Sequence, residues 1–335
     1  MSVLEFKFAK GGLHLPQLGL WLDPHQRRSR PDRVFVSHAH SDHTARHEEV
    51  ILSAPTARFM RARLGGSRSE AVMTYGEPRQ FSHAGNHFQV TLLPAGHILG
   101  SAMVLVEAGG ESLIYTGDFK LRPSRTAELC ELRHADVLIM ETTFGRPQYV
   151  FPPAAEIMRG VVRFCREALD GGETAMLLGY SLGKSQELLH GLKGAGLPLM
   201  LHDSIQEMTR IYEEFGHSFP SYEAFDLDSA RGKVLLWPPN ARTPALARSL
   251  GKVRSAVVTG WALDRSCQYQ YKCDAAFPLS DHADYPELME LVSKVRPARI
   301  FTLHGFAAEF AQALRRLRYE AWAISENDQL FLELD

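Results

Sequence analysis

Residues 33–47 read RVFVSHAHSDHTARH, and the fold is decided by them. The stretch Arg33 to Val36 is a short apolar run of buried-strand type. It is followed at once by His38, His40, Asp42 and His43, three imidazoles and one carboxylate within six residues. Neutral imidazole and carboxylate are the donors that borderline and harder divalent metals prefer. Side chains two apart on extended backbone share a face, so His38 and His40 can serve one ion. Asp42 and His43, in a turn expected to lead into a helix, can serve a second.

Working outward, the first 120 residues are short strands punctuated by turns. EFKF, LGLWLD, RVFVSH, VILSA, FQVTLLPAG, SAMVLVEAG and SLIYTGD are alternating or continuously apolar and bounded by Gly, Pro, Asn or Asp. A helix is expected over Thr56 to Leu64, and DVLIMETTFG adds a buried strand. Two further donor residues stand at strand ends beside glycine: His97 in LLPAGHILGS and Asp118 in SLIYTGDFK. Loops at strand ends are where binding residues concentrate. Taken singly, each could equally be a turn residue.

The texture changes near Pro152 to alternating helix and strand, from PPAAEIMRGVVRFCREALDGG through ETAMLLGY, PLMLHD and KVLLWPP to SAVVTGWAL. That alternation predicts a small α/β layer with a parallel sheet. After Ala275 histidines return, with His282 in a loop opening a helix and His304 at the end of the strand RIFTL. AAEFAQALRRL predicts a helix, and AWAISENDQLFLELD a strand and a turn. A strand-rich domain interrupted by an α/β insertion follows, with boundaries at 1–150 and 271–335 for the core and 151–270 for the insertion.

The composition is that of a soluble globular protein, 335 residues long with 45% hydrophobic and 23% charged. No apolar run reaches the 18 or more residues of a membrane span, and the start has no signal-type core, so a cytoplasmic location is expected. Cys130, Cys165, Cys267 and Cys273 are scattered, which predicts reduced thiols rather than a disulfide framework or cysteine zinc site. A net charge of -2 requires any nucleic-acid partner to meet a local basic surface. Arg27, Arg28, Arg30 and Arg33, then Arg58, Arg61 and Arg63, are the candidates, the alternative being solvated faces. His83, His87, His134, His190, His202 and His217 lack motif context and read as surface or core histidines.

Taken in order, Asp23 ending LGLWLD, the His38–His43 cluster, His97 and Asp118 resemble the motifs of the metallo-β-lactamase superfamily. The resemblance implies a four-layered αβ/βα sandwich with metals at one edge, and makes Asp23 a group that organises the ligands. Glu141 in METTFG, His282 in LSDHADY and His304 in FTLHGF resemble the further motifs of its β-CASP nucleases. Those enzymes act on nucleic acids and carry a cap domain inserted where residues 151–270 lie here. TTFGRPQYVFP, GYSLGKSQELL and LSDHADYPEL are most similar to bacterial ligase-associated DNA exonucleases.

The resemblance implies that His38, His40 and His97 hold one ion and Asp42, His43 and His304 another, with Asp118 bridging. Zinc suits the donors, and manganese is an alternative active ion. Asp42, Asp118, Glu141 and His282 form the catalytic set. His282 would protonate the leaving oxygen or contact the phosphate, oriented by Glu141; for Glu141 the alternative is a strand-end salt bridge. Ser181 and Lys184, where GYSLGKSQELL opens a helix, are candidate phosphate contacts, the alternative being a Ser181 N-cap and a solvated Lys184. Asp281 either holds the His282 loop or caps the next helix. The implied function is a DNA exonuclease acting from the 5′ end on single strands, in repair beside a ligase or helicase. An RNA-processing β-CASP nuclease, a small-molecule hydrolase and a binding protein with a dead site are the alternatives.

Overall fold

The computed structural model describes residues 3–9 and 11–324. By contact the chain forms two compact units, residues 1–123, 127–150 and 282–335 in the first and 124–126 and 151–281 in the second.

The first unit contains two sheets. One runs in chain order through Lys7–Ala9, Gly12–Leu15, Leu20–Leu22, Arg33–Phe35, Glu49–Leu52 and Ser69–Val72. The other has the spatial order Ala321–Ala323, Arg299–Leu303, Val137–Glu141, Glu111–Tyr115, Ala102–Ala108, Asn86–Pro94 and Arg79–His83. Strand side chains alternate between faces, and that alternation sorts the second sheet into two cores. Val104, Val106, Leu113, Tyr115, Val137, Ile139, Phe301 and Leu303 pack in one cluster with Leu13, Leu15, Leu20, Leu22, Phe35 and Ile51 of the first sheet. Their sequence neighbours Met103, Leu105, Ile114, Leu138, Met140 and Ile300 join a second cluster with Leu288, Leu291, Val292 and Val295 of helix Tyr285–Val295 and Phe310, Ala311 and Leu314 of helix Ala307–Arg316. Burial on both faces is why these strands read as continuous apolar runs. Helix Ala54–Leu64, capped by Ser53, packs beside Ser69–Val72 of the first sheet. The expected metallo-β-lactamase sandwich is therefore present.

The second unit is a six-stranded all-parallel sheet in the order Tyr222–Ala224, Leu199–Leu201, Val234–Trp237, Thr174–Leu178, Val253–Val258 and Ala275–Phe277. Helix Ala154–Asp170 buries Ile157, Val161, Phe164, Cys165 and Ala168, a helical spacing, and ends at Gly171. The sequence boundary at 270/271 is corrected to Asp281, because Ala275–Phe277 pairs with Val253–Val258 as the sheet's outermost strand.

Several edge strands escaped the hydrophobic reading. Arg79–His83 is mostly polar, yet pairs antiparallel with Asn86–Pro94 across a two-residue loop. That loop, Ala84-Gly85, has φ of 47° and 86°, the left-handed pair that a tight hairpin requires. His83 and His87 lie on this hairpin. The terminal strand Ala321–Ala323 is present; the remainder of AWAISENDQLFLELD lies outside the described residues. The four cysteines are free, and no helix among the described residues is long and apolar enough to cross a membrane.

Leu138 is fully buried between the second sheet and its helices. Leu138→Ala should lower stability by about 2–5 kcal/mol, read from urea unfolding followed by circular dichroism. A change within about 0.5 kcal/mol would place Leu138 outside a packed core.

Candidate metal centre

The residues singled out in the first sheet meet those of the second at one edge of the first unit. The strand Arg33–Phe35 ends, and residues 36–48 form a loop carrying the histidine cluster. The expectation of a helix after Asp42 and His43 is corrected here. The His43 amide and the Thr44 hydroxyl both donate to the His40 carbonyl, closing a single turn, and the chain then runs into strand Glu49–Leu52. His43 is buried, and its ring is engaged by carboxylates instead of lying on a helix face.

Four donors converge. His38 Nε2 lies 3.0 Å from His40 Nδ1 and 3.6 Å from Asp118 Oδ2. His97 Nε2 lies 3.2 Å from His40 Nδ1 and 3.9 Å from Asp118 Oδ2. All four residues place one donor atom within 4.8 Å of the others. Ligand atoms about 2.0 Å from a tetrahedral zinc are about 3.3 Å apart. The observed gaps bracket that edge, so the donor set fits such an ion. Burial, with His43, His40 and His97 beside it, pushes the His38 imidazole well below its ordinary pKa. That direction favours the neutral ring, the form that binds a metal.

The second set is more open. His43 Nε2 lies 3.3 Å from Asp118 Oδ2 and 4.0 Å from Asp42 Oδ2. The Asp42 side chain is 71% exposed at the rim. His304 is exposed, adopts φ 60°, and its ring centre is 6.1 Å from that of His43. Gly305 follows it at φ 57°, where an added Cβ would lie 2.4 Å from the Thr143 backbone, so only glycine lets the loop close in. Asp118 Oδ2 faces both sets. Burial opposes its charge, but His43 and His282 outweigh burial and hold its carboxyl well below the usual range.

Support around the ligands is dense. Asp23, buried at φ 44°, accepts from the Ser37 amide at 2.7 Å, the Ser37 hydroxyl, the Tyr115 hydroxyl at 3.0 Å and His43 Nδ1 at 2.8 Å. For His43, burial disfavours a proton, yet Asp118 and Asp23 prevail and raise its pKa well above the ordinary value. The Ser101 hydroxyl accepts from the His97 amide at 3.1 Å, and Arg63 donates to the Ala39 carbonyl between the candidate donors His38 and His40. Ser37 and Tyr115 were missed in sequence, and Arg63, expected as basic surface, turns to the histidine loop instead. Strand alternation put Tyr115 on the core face, but nothing local revealed that its hydroxyl reaches Asp23.

His282 joins this edge. Its Nδ1 lies 3.0 and 3.2 Å from the two Glu141 oxygens and 4.0 Å from Asp118 Oδ2. Glu141 is buried and also accepts from the Phe119 amide at 2.9 Å and from Thr143. The salt-bridge alternative and the orienting role thus converge on one partner, His282.

The phosphate-contact expectation at Lys184 is corrected. Its side chain is buried in the second unit, where the ammonium meets Asp281 Oδ1 at 3.0 Å and the Leu279 carbonyl at 2.8 Å. Its charge is neutralised internally, and Asp281 is its partner, while Asp284 caps the next helix. Ser181 bonds Ser204 at 2.8 Å and is not the N-cap; Gly183 holds that place, its amide on Gln186. Among the expected basic pieces, Arg27 pairs with Glu48, Arg30 and Arg33 with Glu49, and Arg61 with Glu70, so much of that charge is compensated.

A sandwich with a histidine and aspartate cluster at one edge defines a metallo-hydrolase scaffold, and comparison with known proteins agrees. A family model described as a beta-lactamase superfamily domain matches residues 15–172, and one described as a Zn-dependent metallo-hydrolase RNA specificity domain matches residues 272–323. The chain is 54% identical over 331 residues to a protein of Opitutus terrae named "Probable DNA ligase", covering 98% of this chain and 32% of that protein. It is 26% identical to the 5′ exonuclease Apollo of Gallus gallus, covering 83% of this chain and 60% of Apollo. It is 29% identical to an RNase J-like protein of Methanocaldococcus jannaschii, covering 47% and 42% respectively. The chain thus spans less than two thirds of the length of each relative. It belongs to the metallo-β-lactamase superfamily and, within it, to the β-CASP group.

Asp23→Asn should weaken metal affinity about 10- to 100-fold, measured by competition with a chelating dye. Unchanged affinity would remove Asp23 from the support of the site. Beside the cluster, burial lowers the His47 pKa from 6.5 to about 4. The unfolded chain then binds a proton that the folded chain refuses, so stability is lost as pH falls from 6.5 towards 4. The loss should approach about 3 kcal/mol. His47→Gln should flatten this part of the urea-denaturation profile; an unchanged slope would contradict it.

Proposed function

We propose that this protein is a metal-dependent phosphodiesterase, a DNA exonuclease that degrades single strands from the 5′ end and works beside a DNA ligase. The observation that carries the reading is the Glu141–His282 pair set against Asp118. With Nδ1 on a buried carboxylate, the ring presents Nε2 for proton exchange with a leaving oxygen.

His38, His40 and His97 would hold one divalent ion, Asp42, His43 and His304 a second, with Asp118 shared. When bound, the ions supply acidification of water and neutralisation of charge on the phosphate oxygens. The protein's own groups do the rest. Asp23 fixes the His43 ring so that Nε2 faces Asp118. Glu141 fixes His282, which hands a proton to the departing sugar oxygen and takes one back from solvent. Zinc is the ion the donor set suits, with manganese as the alternative active ion.

DNA is favoured by the names of two relatives matching most of this chain, the Opitutus terrae "Probable DNA ligase" and the 5′ exonuclease Apollo. In the former, a segment like this one makes up 32% of a longer polypeptide. That arrangement supports a ligase partner in the same repair step. RNA processing is the second reading, favoured by the RNA specificity description of the model matching residues 272–323.

Two experiments test these readings. On end-labelled strands of matched sequence, DNA should be shortened stepwise from its 5′ end faster than RNA, because the 2′-hydroxyl is what the protein must tell apart; preference for RNA would overturn the DNA assignment. His282→Ala should keep its metal content and lose roughly 100-fold or more in turnover. Parallel loss of metal would make His282 a ligand.

A further inference from the structure

Segment 118–122, DFKLR, supplies more than the shared ligand Asp118. The Phe119 amide donates to Glu141 Oε1, the same oxygen that lies 3.0 Å from His282 Nδ1, and the Phe119 carbonyl accepts from the Ala283 amide at 2.7 Å. Three residues on, Arg122 spreads its guanidinium across the far side of the His282 loop. One terminal nitrogen lies 2.5 Å from Asp284 Oδ2 and 2.8 Å from Glu287 Oε2, and the other donates to the His282 carbonyl at 3.3 Å. The Arg122 amide also donates to Glu287.

Asp284 and Glu287 are not surface carboxylates. Both are buried, and together they form the capping box of helix Tyr285–Val295, each accepting from the other's amide. A fork of fixed donors can meet both carboxylates and a carbonyl at once, which a point charge cannot. The backbone of His282 is thereby tied to the same five residues that end in the metal edge.

From this geometry we infer that Arg122 is a positioning residue for His282, setting where its imidazole stands relative to Asp118 without touching the substrate. The inference rests on the proton-transfer role proposed for His282. Displacement of a transfer group by about 1 Å costs on the order of 100-fold in rate, so an imperfect substitute should lower kcat and leave KM and metal content in place.

The test uses two substitutions in two backgrounds. Arg122→Met strips two buried carboxylates of their cation and can fail to fold. Arg122→Lys keeps the charge and is the decisive variant. In an otherwise unaltered chain, Arg122→Lys should lower kcat on a 5′-labelled single-stranded DNA by roughly 10-fold, with KM and bound metal unchanged; Arg122→Met, where it folds, should lower it further. In the His282→Ala background, Arg122→Lys should cost nothing more, since the group it places is gone. Wild-type kcat in Arg122→Lys, or an equal loss in both backgrounds, would overturn the inference. The His282→Ala variant alone judges the underlying role: if its turnover is undiminished, that reading fails independently of Arg122.

Discussion

Four hydrogen bonds converge on one carboxylate, that of Asp23, and the geometry of the metal edge depends on them. Two come from Ser37, one from His43 and one from Tyr115. Ser37 and His43 follow strand Arg33–Phe35 of the first sheet, whereas Tyr115 ends a strand of the second. Asp23 therefore pins the two sheets together at the point where both bring candidate metal donors. It also fixes the imidazole of His43, because a ring held through Nδ1 must offer Nε2 to Asp118. Tyr115, whose pKa is pushed well above its ordinary value by burial and then by Asp23 and Asp118, remains a donor throughout. A buried carboxylate without such partners would be costly. With them it becomes the anchor of the site.

The same principle recurs one step away. Glu141 receives the Phe119 amide and Thr143 and holds His282, while Asp284 and Glu287 receive Arg122. The His43 ring, the His282 ring and the His282 loop are thus each oriented by buried carboxylates that accept further hydrogen bonds elsewhere. Charges outside the site follow a different rule. Lys184, Arg27, Arg30, Arg33 and Arg61 are paired with neighbouring carboxylates, so the chain shows less free basic surface than its arginine runs suggest.

Much of this was legible in the residues because it is local. The apolar runs around Val104, Leu113 and Leu138 announced strands, and the spacing of His38, His40, Asp42 and His43 announced donors after a strand end. What was hidden depends on partners distant in sequence. Arg79–His83 is polar and became a strand only through its hairpin partner. Ala275–Phe277 was too short to read before its pairing with Val253–Val258 moved the boundary to Asp281. The helix expected after His43 is absent: the chain closes a single turn at His40 and runs on to strand Glu49–Leu52. Lys184 looked like an exposed cation because the burial of its ammonium on Asp281 spans nearly 100 residues of chain. Ser37, Tyr115 and Arg122 carry no signature at all, since a hydroxyl or guanidinium acquires its role from what folding sets beside it.

Elemental analysis of the purified chain, alone and as Asp118→Ala, tests the two-ion centre most directly. Two divalent ions per chain are predicted, with both weakened together in Asp118→Ala because one carboxylate oxygen faces both donor sets. A single ion per chain, or an Asp118→Ala protein with its full metal complement, would contradict a shared centre.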